Sequence, residues 1–281
     1  MRALQNEHRI GDLCAAFGVS RSGGHRWRHA APCARACKDA PLAAHLRTLH
    51  PQSRGTDGRP RLTAAWRQRG PRCSAKRVAR LMRSLGLRGV RRGRFRPQTT
   101  DSRHEHGVAP NQLREQAPPT APDQVWVADL TCIPTTEGWL YVAGVPDRCR
   151  RRVLGLARAA RLDTALPAAA LRQALTRRGR PKGLLHHSGR GIQDTSARYR
   201  QILQQHGLEA RMSRRANCYD NAHMESFWGT LKAELLAGRT FATREEARLA
   251  IFEYVEAFYN RVRLHSALGF QSPVDFENQL N

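Results

Sequence analysis

The chain has 281 residues, enough for one core domain of ordinary size with one or two small modules. Lys and Arg number 48 against 23 Asp and Glu, a formal charge of +25, an excess that calls for a polyanionic partner, most often nucleic acid. No run of 18 apolar residues exists and the first dozen residues lack a hydrophobic signal core, so the expectation is a soluble, cytoplasmic protein with no membrane partner. Seven scattered cysteines, odd in number and without a CxxC pair, fit reduced thiols rather than a disulfide scaffold or zinc ribbon. His186 and His187 have no spaced ligand partner.

Residues 9–28 show an apolar helix face (Ile10, Leu13, Cys14, Phe17), then Gly18, Val19 and a Ser20 N-cap that opens a second, basic helix. Helix, tight Gly turn and basic helix is the helix-turn-helix plan, although Gly23 and Gly24 weaken the second helix by about 1 kcal/mol each relative to Ala. A second helical unit follows. A helix is expected from Pro41, another from Leu62 after the loop at 55–60, and a third after the cap Ser74, burying Val78, Leu81, Met82 and Leu85. Lys76, Arg77, Arg80 and Arg83 lie on its other side, and basic residues continue to Arg96. Such a face holds DNA through its phosphates, with a steep salt dependence and little sequence readout. Residues 98–122 are polar and Pro-rich and are expected to be a linker.

From Gln124 the character changes. Residues 125–133 alternate with β-branched and aromatic side chains and predict a strand with Asp129 in its middle. Two more strands are expected at 139–145 and 151–160, then a helix, a strand at 183–189, a helix, a loop and a last helix around Glu225. Asp220 or Asn221 can cap that helix. Phe227, Leu231 and Leu235 fall on its apolar side and, with Trp228, are expected in the core rather than stacked on DNA, while Glu225 and Lys232, seven apart, share another side. The fold class is therefore α/β: a mixed sheet flanked by helices, preceded by small all-α helix-turn-helix modules. The expected domains are residues 1–38, 39–97, the linker 98–122, and a core with C-terminal helices over 123–281.

The stretches 124–147, 186–196, 199–235 and 258–276 resemble the catalytic core of insertion-sequence transposases with a retroviral-integrase-like, ribonuclease-H-type fold. The likeness is strongest to the second-frame product of two-frame bacterial elements, and the helical modules over 1–97 resemble that family's N-terminal segments. The resemblance implies cleavage and transfer of DNA strands by in-line attack on a phosphodiester. It also implies two divalent ions, Mg²⁺ or Mn²⁺, held by three acids. It puts the first acid and metal ligand at Asp129 and the last at Glu225. The second falls at the residue after His187-Ser188, where this chain has Gly189 at the family's spacing of 35 intervening residues from Glu225.

Asp147, Asp194 and Asp220 are poor substitutes by position for that missing carboxylate, so the expected two-ion site is weakened. Lys232 resembles the family's DNA-end contact; Arg190, Asn217 and Asn221 match positions flanking the site. Gly24, Asp57 and Asp194 stand where the family has aromatics, and an apolar turn has become basic at 148–151. The implied partners are terminal inverted repeats and target DNA, further copies of the chain on DNA, and an upstream-frame product fused or associated with it. The alternative is a DNA-binding relic, or an interfering protein that occupies the repeats without catalysis.

Overall fold

The computed structural model describes residue 4 and residues 7–90, 119–179, 181, 183–188, 197–212, 222–236 and 238–280. They fall into two compact units, Met1–Thr48 and Leu49–Asn281. In the first, α1 (Ile10–Ala16) and α2 (Arg21–His29) form a hairpin whose turn uses Gly18 at φ 62°. The Ser20 hydroxyl accepts the Gly23 N–H at 3.1 Å, the expected cap. Leu13 and Cys14 are buried, but Phe17, expected beside them, is exposed: it is the C-cap of α1, past the turn that packs on α2. The next helix, α3 (Ala34–Gln52), begins seven residues before the expected start at Pro41. One helix thus runs through residues 38 and 39, where a module boundary was expected, and the division between units falls inside it.

The second unit opens with α4 (Arg59–Arg67), which carries Pro60 in its first turn, and α5 (Ala75–Ser84), capped by Ser74. Leu62, Trp66, Val78, Leu81 and Met82 are buried, whereas Leu85, at the C-cap of α5, is only half-buried. Asp57 is also buried and holds the Arg61 guanidinium at 2.7 Å. Its place in an ion pair corrects the sequence view of this position as simply a lost aromatic.

The core is a five-stranded sheet in the order β3-β2-β1-β4-β5, with β1 (Val125–Thr135), β2 (Gly138–Pro146), β3 (Val153–Ala159), β4 (Leu185–Ser188) and β5 (Glu209–Met212). The first three strands form an antiparallel meander, and β4 and β5 add in parallel to the free side of β1. The fifth strand was not expected: it is four residues long, two of them charged, and shows no alternation to read.

Alternation along β1 splits the core in two. Val125, Val127 and Ile133 face α8 (Ala222–Leu236), α9 (Arg244–Glu253) and the π-helical turn Tyr254–Tyr259. Trp126 and Ala128 face α6 (Ala165–Arg178) and α7 (Ala197–Gln205). A helix layer on each face satisfies the long apolar runs of the central strands.

Two buried acids fasten the periphery. Asp147 accepts the N–H groups of Asp123 at 2.7 Å and Arg150 at 2.8 Å, closing the turn that follows β2. Glu277, on α10 (Pro273–Leu280), holds Arg150 at 2.8 Å, Arg152 at 2.7 Å and Arg178. The basic turn at 148–151 is therefore partly structural, with Arg150 only 1% exposed.

Two measurements test this packing. Gly155 on β3 lies so close to α6 that an added methyl would overlap the Ala170 carbonyl oxygen, a backbone atom. Gly155→Ala is expected to cost about 1–3 kcal/mol, read as a lowered urea midpoint at unchanged m-value; an unchanged midpoint would refute the close approach. The second concerns His186, buried on β4 with Nε2 3.1 Å from the Tyr199 hydroxyl. Burial, helped by His187, pushes its pKa down to about 3 from the ordinary 6.5. The unfolded chain takes up a proton that the folded chain refuses, so stability should fall as pH drops from 6.5 toward 3. His186→Gln should make that slope shallower, leaving what the other groups contribute, among them His223 and His265, pushed down to about 4 and about 2, and Asp129, raised to about 6 and acting in the opposite sense. Equal slopes in both proteins would contradict it.

Candidate active site

Asp129 stands on β1 one residue past Ala128, the last position paired with β4, on the face that α8 covers. Its register partner across β1 and β2 is Gly144. A methyl at Gly144 would sit about 3.0 Å from the Trp228 ring, so the bare backbone there lets the indole lie against the sheet. From that position Trp228 Nε1 donates to Asp129 Oδ2 at 3.2 Å. Trp228 is on α8, and it brings the helix that carries Glu225 and Lys232 onto the acid.

The apolar side of α8 is as expected: Phe227, Trp228, Leu231 and Leu235 are all buried, joined by Met224. Glu225 is exposed and lies in the first turn, where the helix dipole favours a carboxylate. Lys232 is half-buried. Both act on Asp129. Burial raises its pKa to about 6, the Leu130 amide and the Trp228 indole pull it down, Glu225 pushes it up and Lys232 lowers it again. The first-strand acid, the helix acid and the helix lysine therefore share one electrostatic environment.

Gly189, Arg190 and Asp194 lie outside the described residues, as do Asn217, Asp220 and Asn221. The strand leading to Gly189 does not: β4 ends at Ser188, paired with Ala128, the neighbour of Asp129. Asp147 is turned to the structural task described above, away from catalysis. On α5, Lys76 and Arg83 are exposed and Arg77 and Arg80 half-buried. Trp228 is the residue whose part in the site sequence reasoning missed; its spacing of three from Glu225 is the signal, because residues three apart are helix neighbours.

The donors suit a hard divalent cation. The charges of two carboxylates are felt together here: Asp129 is raised above its ordinary pKa by burial and, to a lesser degree, by the charge of Glu225, which a cation would offset. Among the described residues, no group of three or more His, Cys, Asp or Glu is placed to hold a metal ion.

Comparison with known proteins gives the family. Family models described as "Integrase core domain" match residues 119–218 and 225–280, and one described as "HTH-like domain" matches residues 37–95. The uncharacterized 31 kDa protein of insertion element IS600 from Shigella sonnei is 45% identical over 95% of this chain and 98% of its own length. Transposase InsF for insertion sequence IS3A of Escherichia coli K12 is 38% identical over 98% of this chain and 96% of its own. Among solved structures, the magnesium complex of the HTLV-2 integrase catalytic core (dimeric form) aligns with 56% of this chain and 98% of that one, at 14% identity and TM-score 0.42. The chain belongs to the insertion-sequence transposases, polynucleotidyl transferases with an integrase core and an HTH-like domain.

Proposed function

We propose that this chain recognises the terminal inverted repeats of its element and carries the apparatus for cutting a strand there and joining it to target DNA. Asp129 and Glu225 are the catalytic acids of this reading. The observation that supports it most directly is the Trp228 hydrogen bond to Asp129, with the charges of Glu225 and Lys232 both felt by that carboxylate. Asp129 and Glu225 are also the residues that would hold Mg²⁺ or Mn²⁺, which when bound activates the attacking oxygen and offsets charge on the leaving one. Lys232, on the same side of α8 as Glu225, is placed to neutralise a phosphate of the DNA end.

The stretch over 39–97 holds duplex phosphates through Lys76, Arg77, Arg80 and Arg83, with 1–38 as a further DNA-reading module and 98–122 as the link to the core from 123 onward. Arg190 adds a further contact to DNA. Further copies of the chain assemble on the two element ends, and an upstream-frame product fuses or associates with this one.

Gly189 limits the chemistry. A second ion needs another carboxylate, and the residue at the family's position for it is glycine. This supports a copy with impaired strand cleavage, whose remaining activity is to occupy terminal repeats and so interfere with an active relative. Gly189→Asp is expected to raise Mn²⁺-dependent nicking of a labelled terminal-repeat duplex by roughly a thousandfold, since a lost metal carboxylate costs several kcal/mol of barrier. Vigorous nicking by the unaltered protein would dismiss the impairment. Separately, Lys76→Gln and Arg83→Gln should each lower the slope of log affinity against log salt by about one, alike on all sequences. Unchanged slopes would remove α5 from the DNA interface.

A further inference from the structure

Glu234 lies on α8, nine residues past Glu225, which places it on the opposite side of the helix. Its side chain is 4% exposed and fully engaged. Arg263 donates Nε to Oε2 and Nη2 to Oε1, both at 2.8 Å. The Tyr254 hydroxyl donates to Oε2 at 2.8 Å, and Arg61 Nη2 to Oε1 at 3.1 Å. Arg61 belongs to α4, and its other nitrogen, Nη1, holds Asp57 at 2.7 Å. Two acids and two arginines thus form a neutral, largely buried chain from the helical stretch that precedes the core, through the helix bearing Glu225, to the C-terminal segment. Two thinner ties run parallel to it: Arg54 to Glu253 at 3.3 Å and Gln68 to the Phe270 carbonyl at 3.2 Å.

Such a cluster is poorly explained as a source of stability, because apolar residues of equal volume generally serve as well or better. What it supplies is direction. A bidentate guanidinium, that of Arg263, fixes the Glu234 carboxylate in one plane, and a single bond from Arg61 on another element restrains the helix beneath it further. Sites of this kind need their groups held within about 0.5 Å and 10–20°. Trp228 ties α8 to the sheet and Glu234 ties its opposite side to α4 and the C-terminal segment, with Glu225 and Lys232 on the stripe beside Trp228.

We propose that Glu234 is a positioning residue, and that its ion cluster with Arg61 makes α8 respond when duplex DNA is held on α5. This rests on the DNA reading above. The test is hydrogen–deuterium exchange of the full chain, with and without a short synthetic duplex at low ionic strength. In the unaltered protein the duplex should slow exchange over α5 and over α8. In Arg61→Gln the slowing over α5 should persist, with duplex affinity within twofold, while the slowing over α8 falls severalfold. Arg61→Lys should restore part of it. Glu234→Gln, which keeps a hydrogen-bonding partner for Tyr254 and Arg263, should reproduce the loss. Absence of slowing over α5 in the unaltered protein overturns the DNA reading and the coupling together. Slowing over α8 that survives both Gln variants, or that is missing from the unaltered protein while α5 is slowed, overturns the coupling alone.

Discussion

The candidate site depends on a vacancy for one ring. Because residue 144 has no side chain, the Trp228 indole reaches across β2 to its opposite number, Asp129. A carboxylate enclosed this far needs a donor, and indole is a donor only, so the pairing has one sense. Once Trp228 is fixed, the helix has no freedom in what else it presents: Glu225 stands three residues before it and Lys232 four after, the two spacings that keep residues on neighbouring helix stripes. An acid-base pair is thereby aimed at Asp129 by a contact that is itself hydrophobic packing with one hydrogen bond. The position of Asp129 follows in turn from strand pairing, since the antiparallel register with β2 and the parallel register with β4 both converge on its end of the strand.

The charge of +25 overstates the surface available to a polyanion. Arg61 and Arg263 are committed to Glu234, and Arg150, Arg152 and Arg178 to Glu277. Each of these acids sits where elements distant in sequence meet. The planar guanidinium, with donors in a fixed fork, suits a junction of that kind better than a lysine does. Structural use of arginine also changes the meaning of two departures from the family's pattern. Asp57, where the resemblance implies an aromatic, is in an ion pair with Arg61, and in the basic turn after Asp147, where it implies apolar residues, Arg150 is in an ion pair with Glu277.

Local signals were readable from the chain. The caps Ser20 and Ser74, the order of the first four strands, and the buried side of α8 follow from side-chain type and period alone, because each is settled within a few residues. Pro41 misled the reading of α3: proline is most at home in a first turn, yet its fixed φ is helical, and α3 accepts it in its interior. The strand β5 escaped because its only support is the parallel edge of β4, which a sequence does not display. In the site, Asp129, Glu225 and Lys232 were legible as residues of a known family. The part of Trp228 and of Glu234 was not. The indole is indistinguishable from core filling until Gly144 is seen opposite it, and Arg61 is 173 residues from Glu234.

The contacts that hold the fold together are separate from the carboxylates of the candidate site. β4 is held by Leu185, His186, His187 and Ser188, all buried, and α8 by its apolar side and by Glu234. None of these contacts draws on the carboxylates of the candidate site. Like charges brought near one another repel, as the effect of Glu225 on Asp129 shows, so acids gathered at one place burden the folded state until a cation offsets them.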